Sequence, residues 1–319
     1  NKYLELDPNN AFIHHDLSLL YLLNGDLLKG WPEYEWRIPC FKELRVFDKP
    51  RLDGSDISGK SILLYTEQGF GDTIQFIRYV SLVKKLGVKV IVECQRELKS
   101  LLQGVSGIDI LVSRGDSLPY FDYQVPLMSL PFVFKTSLSS IPNCIPYIKP
   151  SSCLVQQWSR EFQYQKCFKV GLVWAGNSVR NISLSDFAPF GLVSDVCFYS
   201  LQVGRRSEEA LNPPSGLVLL DLSKDINNFC DTAAIIKNLD LVITVDTAVA
   251  HLAGALNMPV WLLLPFVPDW RWMLFCSDSP WYPSMKIFRQ SHKGMGWSSV
   301  VKLVVDELQK LAKLSYEEI

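Results

Sequence analysis

The sequence predicts an α/β protein of two parallel-sheet domains that face a cleft and follow a short all-helical segment. Short apolar runs alternate with amphipathic helical stretches from Ser61 onward, the signature of βα units in a sheet covered on both faces. The alternation breaks at a proline-punctuated stretch, Pro126 to Pro150, and a polar connector, Ser151 to Gln165. It then restarts at Phe168, so a second sheet follows the first. Before Ile57 the apolar residues recur only at helical spacing. The 319 residues suffice for two domains, and a hydrophobic share of 48% gives each a core.

The helical segment opens with Tyr3–Leu6, a turn marked by Pro8, and a helix start at which Asn9 or Asn10 is the candidate N-cap. Leu17, Leu20, Tyr21 and Leu23 continue one helix, Asn24-Gly25-Asp26 breaks it, and a second runs through Trp31, Tyr34 and Trp36. This resembles the end of one tetratricopeptide repeat and the whole of the next. So short a stub cannot bury its own faces, so the sequence is expected to belong to a longer protein with further repeats before Asn1. The expected strands are 61–66, 88–93, 108–112 and 120–125 in the first domain. Those of the second are 168–174, 197–202, 218–221, 241–245, 260–264 and 286–289. Helices are expected at 72–86, 97–102, 232–239, 248–256 and 298–314. The domain boundaries read as 1–38 for the repeat remnant and 39–155 for the first Rossmann-like domain. The second covers 156–290, and a last helix, 291–319, returns to the first.

Charge and cysteine usage exclude several function classes. Lys plus Arg (32) and Asp plus Glu (33) nearly cancel, which gives no basic surface for nucleic acid or anionic membrane. The longest apolar stretch, 239–267, contains Asp246, His251, Pro259 and Pro265 and therefore reads as buried strand–helix–strand rather than a membrane span. The eight cysteines form no C-x-x-C pair, and several, such as Cys167 and Cys197, lie in apolar runs. They read as reduced core thiols of a cytoplasmic protein, with no metal site and no bound cofactor.

Ligands of such sheets sit at the carboxyl ends of the strands, which selects four candidate segments. In Thr66–Thr73 (TEQGFGDT), Gly69 and Gly71 allow close backbone approach, and Asp72 stands at a helix start either as general base or as a cap. In Val245–Ala255 a strand ends in Asp246 and Thr247, and a small-residue helix begins at Ala248. Its first amides can meet a diphosphate. His251 faces the same pocket or sits in the core. In Val173–Arg180, Trp174 and Asn177 lead to Arg180, a phosphate partner or a solvated side chain. In Pro265–Trp272, Trp270 could stack on sugar or base and Arg271 could hold a phosphate, unless the aromatics form a small core of their own.

Together these segments resemble the heptosyltransferase-like glycosyltransferases, in particular the bacterial branch fused behind tetratricopeptide repeats. The resemblance rests on Gly30–Arg37, Glu67–Gln75, Gly171–Asn177, Tyr199–Gln202, Phe229–Ala234, Thr244–Leu256 and Asp269–Tyr282. It implies a GT-B fold and an inverting, metal-independent transfer from a nucleotide sugar to a protein or glycan acceptor. Asp72 matches the family's proposed base, Thr247 and Ala248 its diphosphate-binding helix start, and Asp246 its sugar contact. Gln202, with the other residues just named, is expected on the donor side. Residues 178–181, before Ile182-Ser183-Leu184, are shorter than the basic segment usual there. That shortening motivates one alternative, a catalytically weak scaffold that binds partner proteins, and the implied GT-B fold leaves a second, a nucleotide-sugar epimerase.

Overall fold

A computed structural model describes residues 2–41, 45–176, 181–204 and 206–317. It divides into two compact units. The first comprises Asn1–Cys144 and Pro268–Cys276, and the second Ile145–Val267 and Ser277–Ile319.

The first unit begins with helices α1 (Lys2–Leu6), α2 (Ala11–Leu23), α3 (Leu27–Tyr34) and α4 (Arg37–Cys40). Asn10 caps α2, its side chain accepting from the Ile13 N–H at 3.2 Å. Gly25 ends the turn after α2 at φ +83°, where a side chain would be strained. Gly30 lets α3 close on α2, since a Cβ there would stand 2.5 Å from Leu22 Cδ2. Strands β1 (Ser61–Tyr65), β2 (Lys89–Cys94), β3 (Ile110–Ser113) and β4 (Tyr123–Pro126) form a wholly parallel sheet in the order β3-β2-β1-β4. The register sets Leu63 beside Ile91 and Ile62 beside Tyr123. The helix expected over 72–86 is broken into α5 (Phe70–Phe76), a 3-10 turn at Ile77–Tyr79 and α6 (Val80–Lys84). At the tightened turn the buried Arg78 donates from Nε to the Gln75 carbonyl at 2.9 Å. Between β2 and β3 lies α7 (Lys99–Leu102), and after β4 comes α8 (Leu130–Val133).

The second unit begins with α9 (Ser152–Phe162). It continues with β5 (Phe168–Val173), β6 (Val196–Ser200), β7 (Leu219–Asp221), α10 (Phe229–Ile236) and β8 (Leu241–Val245). Helix α11 (Ala248–Ala255), β9 (Val260–Leu264), β10 (Met285–Arg289) and α12 (Ser298–Glu317) complete it. All six strands are parallel, in the order β10-β9-β8-β5-β6-β7. Strand order reverses between β5 and β8, which makes that pair the topological switch point. In the first sheet the corresponding pair is β1 and β4.

One sequence expectation is corrected within the second unit, and the last helix joins that unit's core. Val300, Val301, Val304, Val305 and Leu308 lie on one stripe of α12 and join the core of Val170, Leu172, Phe187 and Ile243. The thiols of Cys167 and Cys197 are not reduced but joined as a disulfide. Phe168 pairs with Val196 in register, so the cysteines next to them come within 5.7 Å between Cα atoms, inside the range a disulfide spans.

Candidate functional site

At the switch point of the second unit, β5 runs into Trp174-Ala175-Gly176 and β8 into Asp246-Thr247. The two ends touch: a Cβ on Gly176 would stand 3.1 Å from Thr247 Cγ2 and 3.5 Å from the Asp246 carbonyl. Thr247 is the extended N-cap of α11, and its side chain makes no capping hydrogen bond. Its Oγ1 instead lies 3.1 Å from Thr244 Oγ1, so the side chain leaves the first amides of the helix to another acceptor. Asp246, Thr247 and Ala248 are all partly exposed. Behind them α11 is small and buried, which seats it tightly. A Cβ on Gly254 would lie 2.5 Å from the Tyr282 ring. Gly254→Ala is therefore expected to cost about 1–3 kcal/mol by overpacking, read as a lower urea midpoint with unchanged slope.

The first unit builds a different arrangement. Gly69 is the N-cap of α5, and its N–H donates to Asp72 Oδ2 at 2.8 Å. Asp72 Oδ1 accepts from Arg271 Nη2 at 2.5 Å. The same guanidinium donates from Nε to Gln75 Oε1 at 2.7 Å and from Nη1 to Asp269 Oδ1 at 2.8 Å. It lies 4.3 Å from the centre of the Trp270 ring. Arg271 is only 6% exposed. Burial opposes its charge, but Asp269 and Asp72 more than offset this and hold its pKa above the ordinary arginine value.

A second charged cluster stands at the β1/β4 switch point. Arg37, fully buried, donates from Nη2 to both Glu67 oxygens at 3.0 Å and to Ser129 Oγ at 2.6 Å. Its Nη1 reaches Glu35 Oε1 at 2.8 Å, and Glu35 is also paired with Arg51. Burial works against the Arg37 charge, and Glu67 and Glu35 overcome it, raising the guanidinium pKa. Burial likewise pushes the Glu67 carboxyl up, with Arg37 pulling the other way. The helical segment is therefore built into the first unit through this ionic contact at the end of β1.

Comparison with known proteins can now be set beside this geometry. Residues 227–264, spanning α10 to β9, match glycosyltransferase family 9 (heptosyltransferase). The crystal structure of the family 9 glycosyl transferase from Veillonella parvula is similar at a TM-score of 0.61. That match covers 81% of this chain and 98% of that one at 10% identity. The ADP-heptose LPS heptosyltransferase II of Escherichia coli gives a TM-score of 0.57 over 80% of this chain and 99% of its own, at 12% identity. The fold is that of the family 9 glycosyltransferases. A relative in sequence, Protein FlbA of Caulobacter vibrioides, is 26% identical over 95% of this chain and 56% of its own length. The chain thus spans little more than half of that relative. Taken together, these matches show a family 9 fold over most of the chain and a family 9 sequence match over residues 227–264.

Against this family 9 frame, the structure distributes the sequence candidates unevenly. It brings Asp246, Thr247 and Ala248 together at the second switch point, beside Gly176, and places Gly69, Gly71 and Asp72 around the start of α5. Asn177 and Arg180 lie outside the described residues. Four residues expected on the donor side are buried. Trp174 is 0% exposed and donates from Nε1 to Glu209 at 3.0 Å, so it belongs to the core. Gln202 spends its amide on the backbone of the β5 loop, accepting from Trp174 N at 3.1 Å and Ala175 N at 2.9 Å and donating to Ala175 O at 3.1 Å. That clamp shapes the loop that carries Gly176. His251 is buried and bonded through Nδ1 to the Tyr282 hydroxyl at 2.9 Å. Trp270 is 5% exposed, enclosed by Trp31 at 5.6 Å, Tyr34 at 5.7 Å and Phe76 at 6.5 Å between ring centres. Arg271 holds carboxylates of its own chain.

The sequence reading assigns no role to Gln75, Asp269, Glu67 or Arg37. The one local signal was the i, i+3 spacing of Asp72 and Gln75, which places an acid and an amide on one face of α5. Among the described residues no group of three or more His, Cys, Asp or Glu side chains could hold a metal ion. No helix among them is long and apolar enough to cross a membrane.

Proposed function

We infer that this chain transfers a sugar from a nucleotide-sugar donor to an acceptor hydroxyl or amide, with inversion and without a metal ion. The observation that carries the reading is the start of α11 at the β5/β8 switch point. It offers amides that the Thr247 side chain does not cap, next to an acid and a glycine. The diphosphate of the donor binds those amides, Asp246 holds sugar hydroxyls, and the Thr247 hydroxyl adds a phosphate contact. The acceptor oxygen or nitrogen forms the new bond to the anomeric carbon while the bond to the diphosphate oxygen breaks. The acceptor proton passes to the Asp72 carboxylate, and the nucleoside diphosphate leaves on the helix dipole.

The acceptor is a protein or a glycan. The N-terminal helices bear on this choice, because they present Tyr3, Leu6, Phe12 and Leu20, each more than 60% exposed, to whatever they meet. We assign them to a tetratricopeptide-type array that contacts a polypeptide.

The test is thermal unfolding against a panel of nucleoside diphosphates and their sugars, with no metal added. One nucleotide is expected to stabilise the protein, by about 2.7 kcal/mol at a hundred times its dissociation constant. The nucleoside diphosphate alone should give most of that shift. No stabilisation by any nucleotide at millimolar concentration would sink the donor assignment.

A further inference from the structure

We propose that Arg271 is a positioning residue for Asp72, fixing its carboxylate for proton transfer. The proposal rests on the reading of Asp72 as the base and adds the residue that aims it. A carboxylate at a partly exposed helix start turns freely about its side-chain bonds unless both oxygens are held. Here Gly69 N–H holds Oδ2 and Arg271 Nη2 holds Oδ1. The two donors differ in kind, one from the backbone that caps α5 and one from a segment nearly two hundred residues later in the chain.

The holding group is itself held on every side. Gln75, one turn after Asp72 on the same helix, takes Nε, so Arg271 grips α5 at two points with one planar fork. Asp269 takes Nη1 and also accepts from the Arg271 backbone N–H at 3.1 Å, which fixes the turn that carries the arginine. Trp270 covers the guanidinium, and Trp31 and Tyr34 of α3 enclose Trp270 in turn. A lysine ammonium has no planar fork and cannot reproduce three bonds in these three directions.

Energetics favour a positioning role over a purely stabilising one. A buried ion pair commonly contributes no more to stability than well-packed apolar side chains of the same volume. Arg271 already sits among Trp270 and Phe76, where a methionine or leucine would pack. What an apolar residue cannot do is orient the carboxylate.

The experiment compares steady-state kinetics of wild type, Arg271→Met, Arg271→Lys, Arg271→Ala and Asp72→Asn, using the donor identified by the nucleotide panel. Arg271→Met is expected to lower kcat by about 10- to 100-fold, the scale on which a misplaced catalytic group acts. The donor KM and the nucleotide-induced rise in Tm should stay within about twofold of wild type, since the donor binds the second unit. Arg271→Lys should fall between the two, and millimolar guanidinium should partly restore the activity of Arg271→Ala. A merely structural arginine would show neither the split between kcat and KM nor the chemical rescue. If Arg271→Met fails to fold, Arg271→Lys decides: a kcat loss with unchanged donor KM supports the proposal, and an unchanged kcat overturns it. Arg271→Met with wild-type kcat also overturns it. Asp72→Asn as active as wild type removes the base itself, a separate result that leaves the donor reading standing. Wild-type protein that turns over no donor removes both.

Discussion

Asp72→Asn is expected to lower kcat for sugar transfer by about 10²- to 10⁴-fold, the contribution typical of a positioned general base. The amide keeps the shape of the side chain, and its oxygen can still accept one of the two hydrogen bonds that Asp72 now receives from Gly69 N–H and Arg271. What it loses is the ability to take a proton. It also leaves the buried Arg271 with one carboxylate, Asp269, in place of two, so a modest drop in Tm should accompany the kinetic loss. The proposed donor contacts belong to α11 and the β5 loop, hence the nucleotide-induced rise in Tm should match wild type. The pair of measurements separates chemistry from binding: a variant that loses nucleotide binding as well would show Asp72 acting through structure rather than as a base. A variant with full turnover would assign the proton to another group.

The largest expected loss of stability comes from Arg37→Met, about 3–5 kcal/mol, the cost of removing one member of a buried charge pair. Arg37 is fully buried, and the Glu67 side chain it neutralises is only 2% exposed. Removing the guanidinium strands that carboxylate and takes one of two arginine partners from the Ser129 hydroxyl and from Glu35. The double variant Arg37→Met with Glu67→Gln should be less destabilised than the sum of the two single changes, because no uncompensated charge remains. Equilibrium urea unfolding of the four proteins in this cycle gives the coupling directly. Additive losses, or a single-variant loss below about 1 kcal/mol, would show that the cluster does not anchor the helical segment. The second arginine of the cluster, Arg51, bonds Glu35 and Ser129 and acts on Glu67 through charge, more weakly than Arg37 does.

The elements of both sheets were legible because a parallel strand is a local object. Leu241–Val245 and Val260–Leu264 are continuous apolar runs bounded by polar or turn residues, and both strands form with those bounds. The N-cap of α2 was legible for the same reason, since Asn10 acts within one turn of its own position. Helix α5–α6 was less so, because the apolar period runs unbroken through the 3-10 turn at Ile77–Tyr79, where Arg78 bonds the Gln75 carbonyl. The donor-side motif around Asp246 and Thr247 was legible as a strand end followed at once by a small-residue helix.

Burial of aromatic and amide side chains was not legible. Trp174 and Trp270 carry the same residue type as a stacking platform, and only their neighbours, Glu209 for one and Trp31 with Tyr34 for the other, make them core. Gln202 follows the same logic: an amide after a strand can face ligand or backbone, and here it faces the backbone of Trp174 and Ala175. The sequence by itself determined the two βα series, the order of their strands along the chain and the strand ends that carry polar residues. Those follow from hydrophobic period and turn chemistry within a few residues. Only the tertiary structure decided that Arg271 reaches Asp72, that Arg37 reaches Glu67, that Cys167 meets Cys197 and that α12 lies on the second core. Each of these joins residues that no local period relates, so it is set by how the sheets and loops pack, not by any pattern a short stretch of chain can hold.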